Sequence, residues 1–176
     1  DSHSVSDQTQ GNWNGIVGKM SLTATPKTYI DDLQVYPNVK EKNALVKMKI
    51  QADRKMNTVV ALNAISFNTD QPEQNFTTNK KVALEKGKND IEIILPLGNN
   101  PYLWDEFDPA LYRLNAKITT AEKGSSPFST ANESTTFGMR DFKIEGKWFY
   151  VNGRQTMLRG TVESCLFPAT GYAPMD

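Results

Sequence analysis

Cysteine and histidine are nearly absent: Cys165 and His3 are the only examples in 176 residues. One cysteine excludes an intrachain disulfide and a cysteine-built zinc site, while leaving the compartment open. A single histidine in a polar leader (DSHSVSDQTQGN, residues 1–12) argues against a histidine triad or a histidine metal cluster, and no metal or cofactor is expected. Charge of one sign is lacking too, since twenty basic residues balance twenty acidic ones. No basic stripe with interleaved aromatics is present, which excludes the electrostatic footprint of a nucleic-acid binder. Long hydrophobic runs are missing as well. The longest, Ile91–Leu97, contains Glu92 and Pro96 and is far too short to span a membrane. No signal peptide is visible at Asp1.

What is present is a set of short strands separated by turn residues. Three Trp, six Tyr and eight Phe supply material for a core. Asn43–Ala52 (NALVKMKIQA) alternates strictly, with Ala44, Val46, Met48 and Ile50 on one face and Leu45, Lys47, Lys49 and Gln51 on the other. Tyr112–Thr119 alternates the same way through Tyr112, Leu114, Ala116 and Ile118. Further strands are expected at Tyr29–Val39, Asn57–Phe67, around Phe76 and Val82–Leu84, at Asp90–Leu95 and at Glu133–Phe142. Lys86–Asn89 reads as a turn. About seven strands without a helical period predict an all-β fold, an immunoglobulin-like antiparallel sandwich. Tyr112, just after Asp108-Pro109, is the expected structural corner, its hydroxyl bonding to upstream backbone.

The final 34 residues differ. Lys143–Gly153 reads as two short strands with turns at Gly146-Lys147 and Asn152-Gly153, followed by a short strand at Gln155–Arg159. This forms a C-terminal hairpin extension. Phe167–Asp176 is rich in Pro and Gly and stops in an unfinished loop, so the chain is expected to be cut from a longer one.

Catalysis by glycosidase chemistry requires two carboxyl groups across a scissile bond. Asp31-Asp32 and Asp105-Glu106 are adjacent, so in extended segments their side chains should diverge to opposite faces. No catalytic residue is therefore assigned. Cys165, flanked by Leu166 and Phe167, reads as a small buried apolar residue. Trp13, Tyr102, Trp104, Trp148 and Tyr150 could stack on sugars, but Trp104 and Trp148 are expected in the core and at a domain junction. Gly138 and Gly146 read as turn or bulge glycines. Asn75-Phe76-Thr77 and Asn132-Glu133-Ser134 match the glycosylation pattern, which has meaning only in a eukaryotic secretory setting.

Three segments together resemble the family 2 glycoside hydrolases, which include β-galactosidases, β-glucuronidases and β-mannosidases. They are Gly15–Leu22 leading into Tyr29–Val35, then Leu103–Leu114 (LWDEFDPALYRL), then Thr136–Gly160 (TFGMRDFKIEGKWFYVNGRQTMLRG). The resemblance implies a leader and linker from a preceding jelly-roll domain at 1–19. A sandwich would follow at 20–142, then the hairpin and start of a TIM barrel at 143–176. The neighbouring jelly-roll and barrel domains would be its partners, and a carbohydrate the substrate of the intact enzyme. In barrels the chemistry lies at the C-terminal ends of strands, and the family's catalytic glutamates would fall beyond Asp176. Where better-known members carry an Asn and a His after Arg-Gly, this chain has Val162 and Ser164, so substrate class is not carried over from the β-galactosidases. Arg159 and Glu163 remain the candidate substrate-binding residues of the intact enzyme. The family type implies a periplasmic or extracellular location. The competing expectation is a carbohydrate-binding or adhesive immunoglobulin-like module that holds glycans on its own.

Overall fold

The computed structural model describes residues 20–119 and 130–161, and among these it contains ten β-strands and no helix. Contacts divide the chain into a unit of residues 25–157 and a second unit made of 1–24 and 158–176. The described residues of the second unit, 20–24 and 158–161, are exposed and without regular structure.

The larger unit holds all ten strands. A three-stranded sheet takes β1 (Tyr29–Asn38), β2 (Asn43–Ala52) and β5 (Gly87–Pro96) in the order β1-β2-β5. A four-stranded sheet takes β3 (Met56–Phe67), β4 (Asn75–Leu84), β6 (Leu111–Thr119) and β7 (Thr130–Phe137) in the order β4-β3-β6-β7. Every pairing is antiparallel. This is the immunoglobulin-like sandwich of seven strands. The fourth strand lies beside β3, whereas a constant-type domain would put it on the other sheet.

Period-two geometry explains the core. Ala44, Val46, Met48 and Ile50 of β2 are almost completely buried, as are Tyr112, Leu114, Ala116 and Ile118 of β6. They meet Val60, Leu62 and Ala64 of β3 and Ile93 and Leu95 of β5 in one continuous cluster. At roughly 25 cal/mol per Å² of apolar surface removed from water, this layer is the main stabilising term.

Two strands differ from the sequence expectation. β4 runs unbroken from Asn75 to Leu84, although its middle, Asn79-Lys80-Lys81, is polar and exposed. As an edge strand it needs only one buried row, and charged residues on an edge discourage pairing with other chains. The expected turn at Lys86–Asn89 shrinks to Glu85-Lys86, because Gly87 already opens β5 at φ +103°. Asn89 holds this sheet-switching corner: its amide donates to the carbonyls of Glu85 (2.9 Å) and Gly87 (3.0 Å), and its oxygen accepts from the Glu85 N–H (2.9 Å). A positive φ is tolerated best by glycine, which fixes the residue type at 87.

The remaining strands, β8 (Phe142–Glu145), β9 (Trp148–Val151) and β10 (Arg154–Thr156), form a separate antiparallel meander in the order β10-β9-β8. The final strand ends at Thr156, short of the expected Arg159. Likewise β7 ends at Phe137, and Gly138–Asp141 breaks the chain before β8.

Candidate functional site

The residues that organise the unit lie at the end of the sandwich where β6 begins and the meander is attached. Tyr112 stands at the start of β6 with no exposed surface. Its hydroxyl accepts from the Tyr102 N–H (2.6 Å) and donates to Gln74 Oε1 (2.7 Å). Gln74 in turn donates to the Asn100 carbonyl (2.9 Å), so one tyrosine ties two connecting loops together. Phe137 stacks on the Tyr112 ring at 5.4 Å and Phe76 tilts against it at 6.0 Å. Burial pushes the Tyr112 phenol up to about 12, because the phenolate would lose its water.

The second feature is the seat of the meander. Trp104 donates its N–H to the Met139 carbonyl (3.0 Å), and Leu103 bridges Met139 in parallel. A Cβ added at Gly138 would stand 3.0 Å from the Trp104 Cβ. Gly138 is therefore needed for close approach and is neither a turn nor a bulge glycine; Gly146, at φ +61° between β8 and β9, is the turn. Arg140 lies over the Trp104 ring at 4.7 Å. From the other side, Asn152 (φ +51°) donates to the Trp104 carbonyl (2.9 Å) and accepts from the Asp141 N–H (2.8 Å). Asn152 was legible as a turn residue, but not as a clasp between loop and hairpin.

The two adjacent carboxylate pairs receive different explanations. Asp105 and Glu106 do not diverge: both reach Arg154, at 3.9 and 3.0 Å. The segment is a turn, because Asp105 accepts from the N–H groups of Phe107 (2.7 Å) and Asp108 (2.9 Å). The Asp108 and Phe107 N–H groups, aided by the Arg154 charge, hold the Asp105 carboxyl below its ordinary value. A glycosidase acid needs the reverse, a carboxyl held protonated near neutral pH. Asp32 accepts from Gln34 (2.7 Å) and faces Lys49 at 4.0 Å, while Asp31 falls at a bulge in β1.

Of the other candidates, Arg159 is exposed in the described part of the second unit. Glu163, with Val162, Ser164, Cys165, His3 and Trp13, lies outside the described residues. Trp104 sits at the junction of sandwich and meander, as expected of one of the two tryptophans. Trp148 does not fill the core. It is 45% exposed: its register partner is the hairpin-end residue Glu145, and among the described residues no further strand pairs over that end.

These contacts fasten the meander to the end of the sandwich, and the chain can be compared as a whole with known proteins. The family model for glycosyl hydrolases family 2 matches residues 28–140. A β-galactosidase of Staphylococcus xylosus is 25% identical over 168 residues, covering 96% of this chain and 15% of the relative. A putative β-glucuronidase of Formosa agariphila is 30% identical over 150 residues, covering 85% of this chain and 17% of that one. Among solved structures, a glycosyl hydrolase family 2 member from Bacteroides cellulosilyticus superposes with a TM-score of 0.63 at 17% identity, over 77% of this chain and 17% of that chain. The chain spans less than a fifth of the length of each of these three proteins.

Proposed function

The chain belongs to glycosyl hydrolases family 2, and from that premise we propose that it is the non-catalytic central sandwich of a longer enzyme that hydrolyses β-glycosidic bonds. The observation that carries this reading is a coincidence of boundaries. The family match at 28–140 runs from the approach to β1 to just past the end of β7, the whole seven-stranded sandwich. Among the described residues of that span, Asp105 and Glu106 are engaged by Arg154 and Asp32 by Gln34 and Lys49, and the Asp105 carboxyl is held below its ordinary value, the reverse of what a glycosidase acid requires.

In this reading residues 1–19 link to a preceding jelly-roll domain, 20–142 form the sandwich, and 143–176 lead into a catalytic barrel. The sandwich then acts by position. A rigid layer of buried strands sets the angle at which the meander, and whatever chain follows it, leaves the domain. Arg159 and Glu163 would reach the substrate only in the assembled enzyme, at the mouth of the barrel. A periplasmic or extracellular location suits an enzyme of this type.

The test is a pair of proteins assayed side by side on chromogenic β-galactosides and β-glucuronides. Residues 1–176 alone should give no hydrolysis, and the full-length gene product should give turnover. Hydrolysis by the 176-residue chain would overturn the assignment.

A further inference from the structure

The outer face of the four-stranded sheet carries a groove unrelated to the corner or to the meander seat. Its lining comes from β3, β6 and β7: Ala61, Asn63, Asn115, Lys117, Asn132 and Ser134, with Ala116 and Glu133 at its margin. Strand register arranges these as two cross-strand rows. Ala61 stands opposite Lys117, and Lys117 opposite Asn132; one step along, Asn63 stands opposite Asn115, and Asn115 opposite Ser134. Residues directly opposite share a face, so both rows point outward together. The groove exists because Ala61 offers a single methyl where its neighbours offer longer side chains.

We infer that this groove binds a neutral glycan chain, an inference that rests on reading the chain as part of a glycoside hydrolase. The lining presents three carboxamides and a hydroxyl. A carboxamide supplies two donors and an acceptor, the pattern that vicinal sugar hydroxyls complement; Asn63 spends one donor on Asn75 Oδ1 (2.6 Å) and keeps its other donor and its oxygen. Lys117 is the one charged side chain on these outward rows, too little positive charge to select a polyanion. Its apolar surface comes from short side chains and carbon stems, with no Leu, Ile, Met or aromatic residue in the lining, so it lacks the large anchors that protein interfaces use. Strands lie about 4.8 Å apart, close to the length of one pyranose ring, so a chain laid across β3, β6 and β7 meets a polar side chain at each ring. Without an aromatic platform in the groove, binding is weak, in the millimolar range.

The experiment is a titration of the ¹⁵N-labelled 176-residue chain with cellohexaose, xylohexaose and a β-1,4-linked galactohexaose, with tetragalacturonate as a charged control. Saturable shifts from at least one neutral oligosaccharide, confined to the amides of Asn63, Asn115, Asn132 and their neighbours, are expected. The side-chain amide signals should move with them, and Lys47 on the opposite sheet should not. Asn115→Ala should weaken binding about fivefold, the equivalent of one lost hydrogen bond, while keeping a dispersed spectrum. Should that variant fail to fold, Ser134→Ala on the next strand takes its place. No saturable shift with any neutral oligosaccharide, shifts on another face, a preference for tetragalacturonate, or unchanged affinity in the variant each overturns the inference. None of these outcomes touches the domain assignment, which stands or falls on the activity of the full-length protein.

Discussion

The sandwich and the meander are built from the same kind of strand, yet they are held by different forces. In the sandwich each strand buries one row of side chains, and the two sheets share a continuous core. In the meander only Val151 is buried, while Phe142, Ile144 and Trp148 are 44%, 65% and 45% exposed. Small isolated sheets are marginal in water, and this one is anchored at its root by polar contacts, Asn152 to Trp104 and Arg154 to Glu106. The contrast separates a self-sufficient layer from an attachment that depends on one loop.

That contrast can be broken by substitution. The largest effect is expected from Leu114→Ala at the centre of β6, which removes a fully buried side chain and should cost about 2–5 kcal/mol in urea denaturation. A cost under ~1 kcal/mol would show that the sandwich is not the stabilising layer.

Tyr112→Phe comes next, at about 1–3 kcal/mol, because it removes the hydroxyl shared by the Tyr102 N–H and the Gln74 oxygen and leaves them only their long 3.4 Å contact with each other. It also carries a pH signature. The phenol is raised to about 12 in the folded chain, from the ordinary value near 10. The folded state then holds its proton more tightly than the unfolded one, so stability is full below pH ~10 and falls as pH rises toward ~12. Phenylalanine has no such proton, and the variant should lose less stability over that window. Equal slopes for the two proteins would remove the corner from the account.

The smallest global effect belongs to Asn152→Ala. It deletes two hydrogen bonds, but at the root of the weaker region, so the melting temperature should move little. Hydrogen exchange at Phe149 and Tyr150 should instead quicken by about fivefold or more, as expected of a local opening. Uniform quickening throughout β2 and β6 would mean that the two regions unfold as one.

Legibility in the sequence followed the same division. Asn43–Ala52 and Tyr112–Thr119 could be read outright because a half-buried strand writes its burial as alternation. Tyr112 stood out through its place after Asp108-Pro109. β4 could be read only in pieces, since an edge strand tolerates Asn79-Lys80-Lys81 and so blurs its own period. The functions of Gly138 and Asn152 could not be read at all. Each depends on Trp104, tens of residues away in sequence, and no local pattern encodes which backbone a distant side chain will touch. Asp105 and Glu106 misled for a related reason. The extended geometry assumed for them gave way to a turn made by the Asp105 side chain itself. The groove on the outer sheet face went unread because its Asn and Ser residues look like ordinary solvent-facing positions until register aligns them.

The antiparallel order β10-β9-β8 has a mechanical consequence. Tension applied to the chain beyond Met157 would pull β10 away from β9 one ladder rung at a time, a peeling geometry that resists little force. The load would then reach Asn152 and stop at its grip on Trp104. A tug from that side is thus absorbed by β10 alone before it strains the loop that carries Trp104, so the third strand acts as a sacrificial latch for the rest of the meander.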